Sequence, residues 1–137
     1  MREKKYIISS LIVFLCLFLS ACSNTQSPLL YGEWQMIDWN GDKPLIDIYY
    51  YFKYNGEYTD SRSDDITWNY QYLEPDSLIL YHHGAYEERY KILTLSGDSL
   101  IIELYESLLH TEDNGKEVTT EYINSESQIF KFIRNNQ

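Results

Sequence analysis

Three histidines, His82, His83 and His110, are the first residues whose type could do chemistry. A metal site needs three or four converging ligands. Neighbouring residues of a strand point to opposite faces, so His82 and His83 could share an ion only if a turn bent them together. Gly84 would permit that bend and Glu87 or Glu88 could assist, but the stretch reads as an exposed turn. Asp60-Ser-Arg-Ser-Asp64-Asp65 has the density of a calcium loop without its glycine or its terminal bidentate glutamate. Arg62 sits among the would-be ligands, so a solvated loop is expected. No glycine-rich phosphate loop, Gly-x-Ser-x-Gly elbow or His-Glu-x-x-His is present. Among the many acids, only Glu88 shares the strand parity of Tyr90 and Ile92. A buried carboxylate is costly unless paired, which places Glu88 near a rim. The residues therefore predict no catalytic group, no metal and no cofactor.

The real excess is aromatic: 14 tyrosines in 137 residues. Inward parity collects Tyr50, Phe52, Trp68, Tyr70, Tyr72, Tyr90 and Tyr122 from several strands. Such rings with hydroxyl handles could line a lumen and stack on a small apolar or aromatic ligand. Tyr50, Trp68, Tyr70, Tyr72, Tyr90 and Tyr122 are the ligand-binding candidates on this reading. The alternative is that the same rings simply fill a small barrel, since eight strands permit either outcome. Tyrosine favours the open lumen, because a buried phenol requires a hydrogen-bond partner that Leu or Phe does not. A filled barrel would leave Tyr49, Tyr51, Tyr81 and Tyr105 to meet another envelope protein, as an interaction or inhibitor module.

The elements that must position these rings are strands. After Leu29 the apolar period is two, broken about every ten residues by turn residues, which predicts an all-β chain. Ile66-Thr-Trp68-Asn-Tyr70-Gln-Tyr72 alternates most clearly. Strands are expected over 32–39, 45–54, 57–61, 66–73, 78–81, 86–95, 100–109 and 117–123. Residues 128–134 would close the sheet as a ninth. Asn40-Gly-Asp-Lys-Pro44 and Glu74-Pro-Asp-Ser77 break the chain, and Asn55-Gly56 is a strong hairpin signal. Asp76-Ser-Leu-Ile79 recurs as Asp98-Ser-Leu-Ile101, 22 residues on. That spacing fits two strand-plus-turn units of an up-and-down meander, and short connections favour a closed antiparallel barrel of about eight strands.

The N-terminus reads differently. Arg2, Lys4 and Lys5 precede a 13-residue run, Ile7 to Leu19, that is apolar except for two serines. A spanning helix needs about 20 such residues and a secretory segment only ~7–15, so export is expected rather than a retained anchor. Leu19-Ser20-Ala21-Cys22 resembles a bacterial lipobox, which implies cleavage before Cys22 and lipidation of its thiol. The only other cysteine, Cys16, lies in the segment removed, which leaves neither a disulfide partner nor a free nucleophilic thiol. The organisation is then a lipoprotein signal peptide at 1–21, a tether at 22–29 and one barrel domain at 30–137. Removing residues 1–21 takes away Arg2, Lys4, Lys5 and Glu3, leaving 8 basic against 20 acidic side chains, a net charge of −12. That balance excludes nucleic acid as a partner.

Gly32-x-Trp34, Phe52-x-x-x-Gly56-x-Tyr58 and Tyr90-x-Ile92-x-x-Leu95-Ser96-x-Asp98-x-Leu100-x-Ile102 follow one another behind the lipobox. The series resembles the bacterial lipocalin-like lipoproteins of the Bacteroidetes type, over nearly the whole mature chain. The resemblance implies an eight-stranded barrel open at one end and a small-molecule ligand; that the protein is not an enzyme is expected from the missing catalytic motifs. It also implies that Trp34 plugs the closed end beneath a cation from the last strand, Arg134 or Lys131. Members sent to the cell surface carry acids after the lipidated cysteine, and Ser23-Asn-Thr-Gln-Ser27 carries none. The expected location is the outer membrane, lipid-anchored, on the periplasmic face. The same pattern favours a glycine bulge at Asn55-Gly56 that sets Tyr58 opposite Phe52 in the core. A two-residue turn would put Thr59 there and Tyr58 outside.

Overall fold

The computed structural model describes residues 27–63, 66–82 and 85–136, without the side chains of 121–126. Cys22, the tether before Ser27, His83 and the Tyr122 side chain lie outside the described residues. A 3-10 turn, Pro28–Leu30, leads into eight strands: β1 Gly32–Trp39, β2 Tyr49–Phe52, β3 Glu57–Asp60, β4 Thr67–Leu73, β5 Ser77–His82, β6 Tyr86–Leu95, β7 Ser99–Asp113 and β8 Lys116–Arg134. Each pairs antiparallel with the next and β8 pairs with β1, so the sheet is a closed meander barrel. Alternation makes this possible: inward positions such as Trp34, Tyr50, Phe52, Tyr58, Leu78, Leu100 and Phe132 are buried, while their neighbours are not.

Two expectations about strands are corrected. Residues 45–48 precede β2 rather than forming its start, and Ile46, which shares the parity of Tyr50 and Phe52, is 63 % exposed. Pro44 has no N–H to add to a ladder, and the chain has just reversed at Asn40-Gly41, where Trp39 and Asp42 exchange backbone bonds. The separate strands expected at 117–123 and 128–134 are one strand, β8, containing a bulge. Its pairing jumps from Leu104↔Gln128 to Glu106↔Ile123, so the polar interruption bends the strand without ending it. β7 and β8 thereby run to a tip at Asn114-Gly115 beyond the end of β6, with residues 111–120 all exposed.

The Asn55-Gly56 hairpin takes the bulged form, with Phe52 paired to Tyr58 and the Tyr58 ring fully buried. Gly56 alone has positive φ there, whereas both Asn114 and Gly115 do at the other tip. The difference lies in Asn55, whose side chain accepts from the Glu57 N–H and donates to its carboxylate. The two Asp-Ser-Leu-Ile segments occupy equivalent places. Each leads from the same barrel end into an upward strand, and Leu78 and Leu100 are both completely buried.

One end is shut. Trp34 is fully buried and donates from Nε1 to the Leu30 carbonyl at 2.8 Å, and the Arg134 guanidinium lies 4.3 Å above its ring. Arg134, not Lys131, supplies this cation, and it also donates to the carbonyls of Leu29, Tyr31 and Gly97. Above this plug, aromatic rings fill the barrel axis. Phe52 packs on Tyr58 at 5.6 Å and on Tyr70 at 5.0 Å, and Tyr50 on Phe132 at 5.2 Å.

Candidate functional site

Polar groups gather at the opposite end, where β3, β5 and β6 present inward positions just below the rim. Asp60 closes β3, His82 closes β5, and Glu88 lies one turn of the pleat above Tyr90 on β6. The loop after β3 folds Arg62 back over this level. Its Nη2 meets the Asp60 carboxylate at 2.5 Å, its Nε meets both carboxylate oxygens at 3.0 and 3.1 Å, and Nη2 also donates to the Tyr50 hydroxyl at 2.9 Å. Asp60 also accepts the Arg62 backbone N–H, so a carboxylate only 5 % exposed is fully engaged. Across the lumen, Glu88 accepts from the Tyr90 hydroxyl at 2.7 Å and lies 3.0 Å from His82 Nε2. The Tyr58 hydroxyl is 3.3 Å from the His82 ring, which also packs against Trp68 at 5.5 Å.

These contacts answer how three buried phenols are accommodated: each spends its hydroxyl on the polar belt. Burial raises the Tyr50, Tyr58 and Tyr90 pKa values above the usual phenol value of 10, and the nearby carboxylates push the same way. The phenols are therefore neutral at pH 7: Tyr90 donates to Glu88, whereas Tyr50 accepts from Arg62. Glu88 is the reverse case. Burial would raise its pKa, but the hydrogen bonds of His82 and Tyr90 outweigh this and hold it below the usual 4.5. Arg62 is held charged chiefly by its hydrogen bonds to Asp60.

Above the belt the barrel opens into a hollow of ≈ 730 Å³. Trp39, Pro44, Leu45, Ile46 and Ile48 give it apolar walls, and Arg62 and Gln128 complete the lining. Most of the wall comes from the β1–β2 connection, on which Leu45 is fully exposed. Trp39 is steadied by Phe130, 5.5 Å away. The volume lies within the ~300–1,000 Å³ typical of small-molecule sites.

The sequence-derived candidates separate in this geometry. Tyr50, Trp68 and Tyr90 surround the polar belt, and Tyr50 touches the hollow only through Arg62. Tyr70 and Tyr72 lie toward the closed end, donating to the carbonyls of Lys53 and Pro75, and border a shallow groove of ≈ 290 Å³. Tyr122 is placed by register opposite Ser107. Trp34 and Arg134 form the closed end. His82 is not an exposed turn residue, because β5 continues through it and turns its ring inward. His110 instead meets Glu87 at 3.1 Å on the outer face, where Arg89 and Glu106 extend the network. Among the described residues, no group of three or more His, Cys, Asp or Glu could hold a metal ion.

Sequence reading missed Asp60, Arg62 and the mouth wall. Arg62 counted only as an obstacle to calcium, although its spacing of two from a parity-inward Asp60 was the available signal. The fold and this mouth together define a closed, eight-stranded meander barrel with one plugged end and one open, polar-floored end. Comparison of the chain with protein-family models, curated proteins and solved structures finds no match.

Proposed function

We propose that the protein is a lipocalin-like lipoprotein of the cell envelope that binds a small apolar or aromatic molecule at the open end of its barrel. Lipidated Cys22 would hold it to the outer membrane on the periplasmic face, and it would work by binding rather than by catalysis. The observation that carries this reading is the ≈ 730 Å³ hollow, with apolar walls and one guanidinium among its polar groups. Because aromatics pack the axis below, the ligand belongs in the upper lumen and not in its depth. The rival reading, a filled barrel docking on another envelope protein, draws on that packing. Its exposed tyrosines argue against it: Tyr51 is on β2 and Tyr105 on β7, strands that do not adjoin.

Native mass spectrometry of the full chain purified from its own envelope tests the choice. A co-purifying molecule of a few hundred daltons is expected, absent from an Ile48→Trp variant that fills the mouth. A bare barrel mass with a protein partner retained would overturn the carrier reading.

A further inference from the structure

Arg62 carries the information about what the mouth selects. A guanidinium has five N–H donors. Nε and Nη2 serve Asp60 and Tyr50, while Nη1 makes no hydrogen bond among the described residues. The side chain is 38 % exposed and lines the hollow, so two donors are left for a ligand atom. Their charge, however, is already answered. Asp60 takes the guanidinium side-on at 2.5–3.1 Å, and on the wall the sequence neighbours Asp42 and Lys43 carry opposite signs. Glu88 stands in the same cluster and adds a further negative charge. The mouth thus offers strong N–H donors in a setting without net positive charge.

We propose that the mouth selects neutral amphiphiles, an apolar chain or ring bearing a carbonyl, amide or hydroxyl oxygen, and that Arg62 reads this oxygen while Asp60 enforces neutrality. This rests on the reading of the mouth as a ligand site. A carboxylate entering here would give up its hydration, face Asp42 on the wall and lie in the field of Asp60 behind Arg62, against a cation already paired. A neutral oxygen loses less hydration and accepts the same two N–H groups. Asn40 and Gln128, also on the wall, are neutral as well and oppose neither.

Octanamide and octanoate form a matched probe pair, differing at one end only. With the full chain in nanodiscs at pH 7, tryptophan emission is followed on titration with each, and empty nanodiscs serve as the blank. Saturable binding of octanamide is expected, with octanoate at least about tenfold weaker, the scale of one hydrogen bond to a charged group. Arg62→Met should weaken octanamide about tenfold, and Asp60→Asn should strengthen octanoate by freeing the cation. Should Asp60→Asn fail to fold, the wild-type ratio still decides. Octanoate binding as tightly as octanamide overturns the selectivity and leaves the ligand site standing. Octanamide bound equally well by Arg62→Met overturns the role of Arg62. Saturable binding of neither probe overturns the mouth as a ligand site and this inference with it.

Discussion

Arg62 and Glu88 place opposite charges within one lumen by the same device: each is tied into hydrogen bonds before any ligand arrives. For Glu88 the ties are the Tyr90 hydroxyl and the His82 ring. Its lowered pKa fixes the sign of a pH effect. A carboxylate with a depressed folded-state pKa contributes stability that is present above its ordinary value and lost as pH falls through the folded value. Glu88→Gln keeps the shape and removes the charge. At pH 7 it should cost on the order of 1–2 kcal/mol in denaturant unfolding. The difference from wild type should close as pH is lowered below about 4.5, and a difference constant from pH 7 to pH 3 would contradict the assignment. Glu88 was legible as an inward residue needing a partner, from its parity with Tyr90 and Ile92. Its partner His82 was not, because a chain position beside Gly84 reads as a turn until β5 is seen to carry through it.

At the scale of elements, β1 and β8 depend on a glycine. Gly32 has φ +115, and a Cβ built there would stand 2.7 Å from Arg134 Nη1, the guanidinium that covers Trp34. The glycine of Gly-x-Trp is thus the space the Arg134 guanidinium occupies, at a backbone angle that L side chains avoid. Gly32→Ala should destabilise by ~2–4 kcal/mol, combining backbone strain with displacement of Arg134. Combined with Arg134→Ala, its cost should be markedly less than additive in thermal or denaturant unfolding, since the two substitutions remove one shared contact. Full additivity would mean that strain alone accounts for the effect. The strand order and this plugged end were legible, since period-two alternation, turn residues and the Gly-x-Trp resemblance are all local signals. The bulge in β8 was not, because a polar interruption that bends a paired strand looks the same in sequence as one that ends it.

The whole molecule stores its aromatic excess in one column. Tyr50, Tyr58 and Tyr90 are buried neutral, with pKa values raised above 10. A raised folded-state pKa means stability that is complete below the ordinary value and lost as pH climbs beyond it. Ultraviolet difference spectra report the ionisation of these phenols directly. The buried phenols should ionise only together with cooperative unfolding at higher pH, and three independent titrations in a still-folded barrel would contradict the packing. The column also separates the ends of the molecule. The chain enters beside Trp34 at the plugged end, through Pro28–Leu30, whereas the hollow lies at the other end. The five residue steps from Cys22 to Ser27 reach at most about 18 Å. A lipid on Cys22 would accordingly hold the plugged end toward the bilayer and present the mouth to the aqueous side.

By itself the sequence determined which face each strand turns inward, where the chain reverses and that the strands follow one another around a barrel. These properties depend on neighbours one to four residues apart, through side-chain alternation and turn conformations. The Phe52–Tyr58 register does not belong with them: Asn55-Gly56 alone allows a two-residue turn as well as a glycine bulge, and only the resemblance favoured the bulge that the structure shows. Only the tertiary structure decided which inward residues share a level. Asp60, His82 and Glu88 come from three strands and Arg62 from a loop, and they meet because the stagger and bulges of the closed sheet bring those positions to one height. The same closure decided that Tyr70 and Tyr72 lie toward the plug while Trp39 and Ile48 wall the mouth. Parity distinguishes inside from outside, but height within a barrel depends on the register of every strand pair at once, and no local stretch of chain contains it.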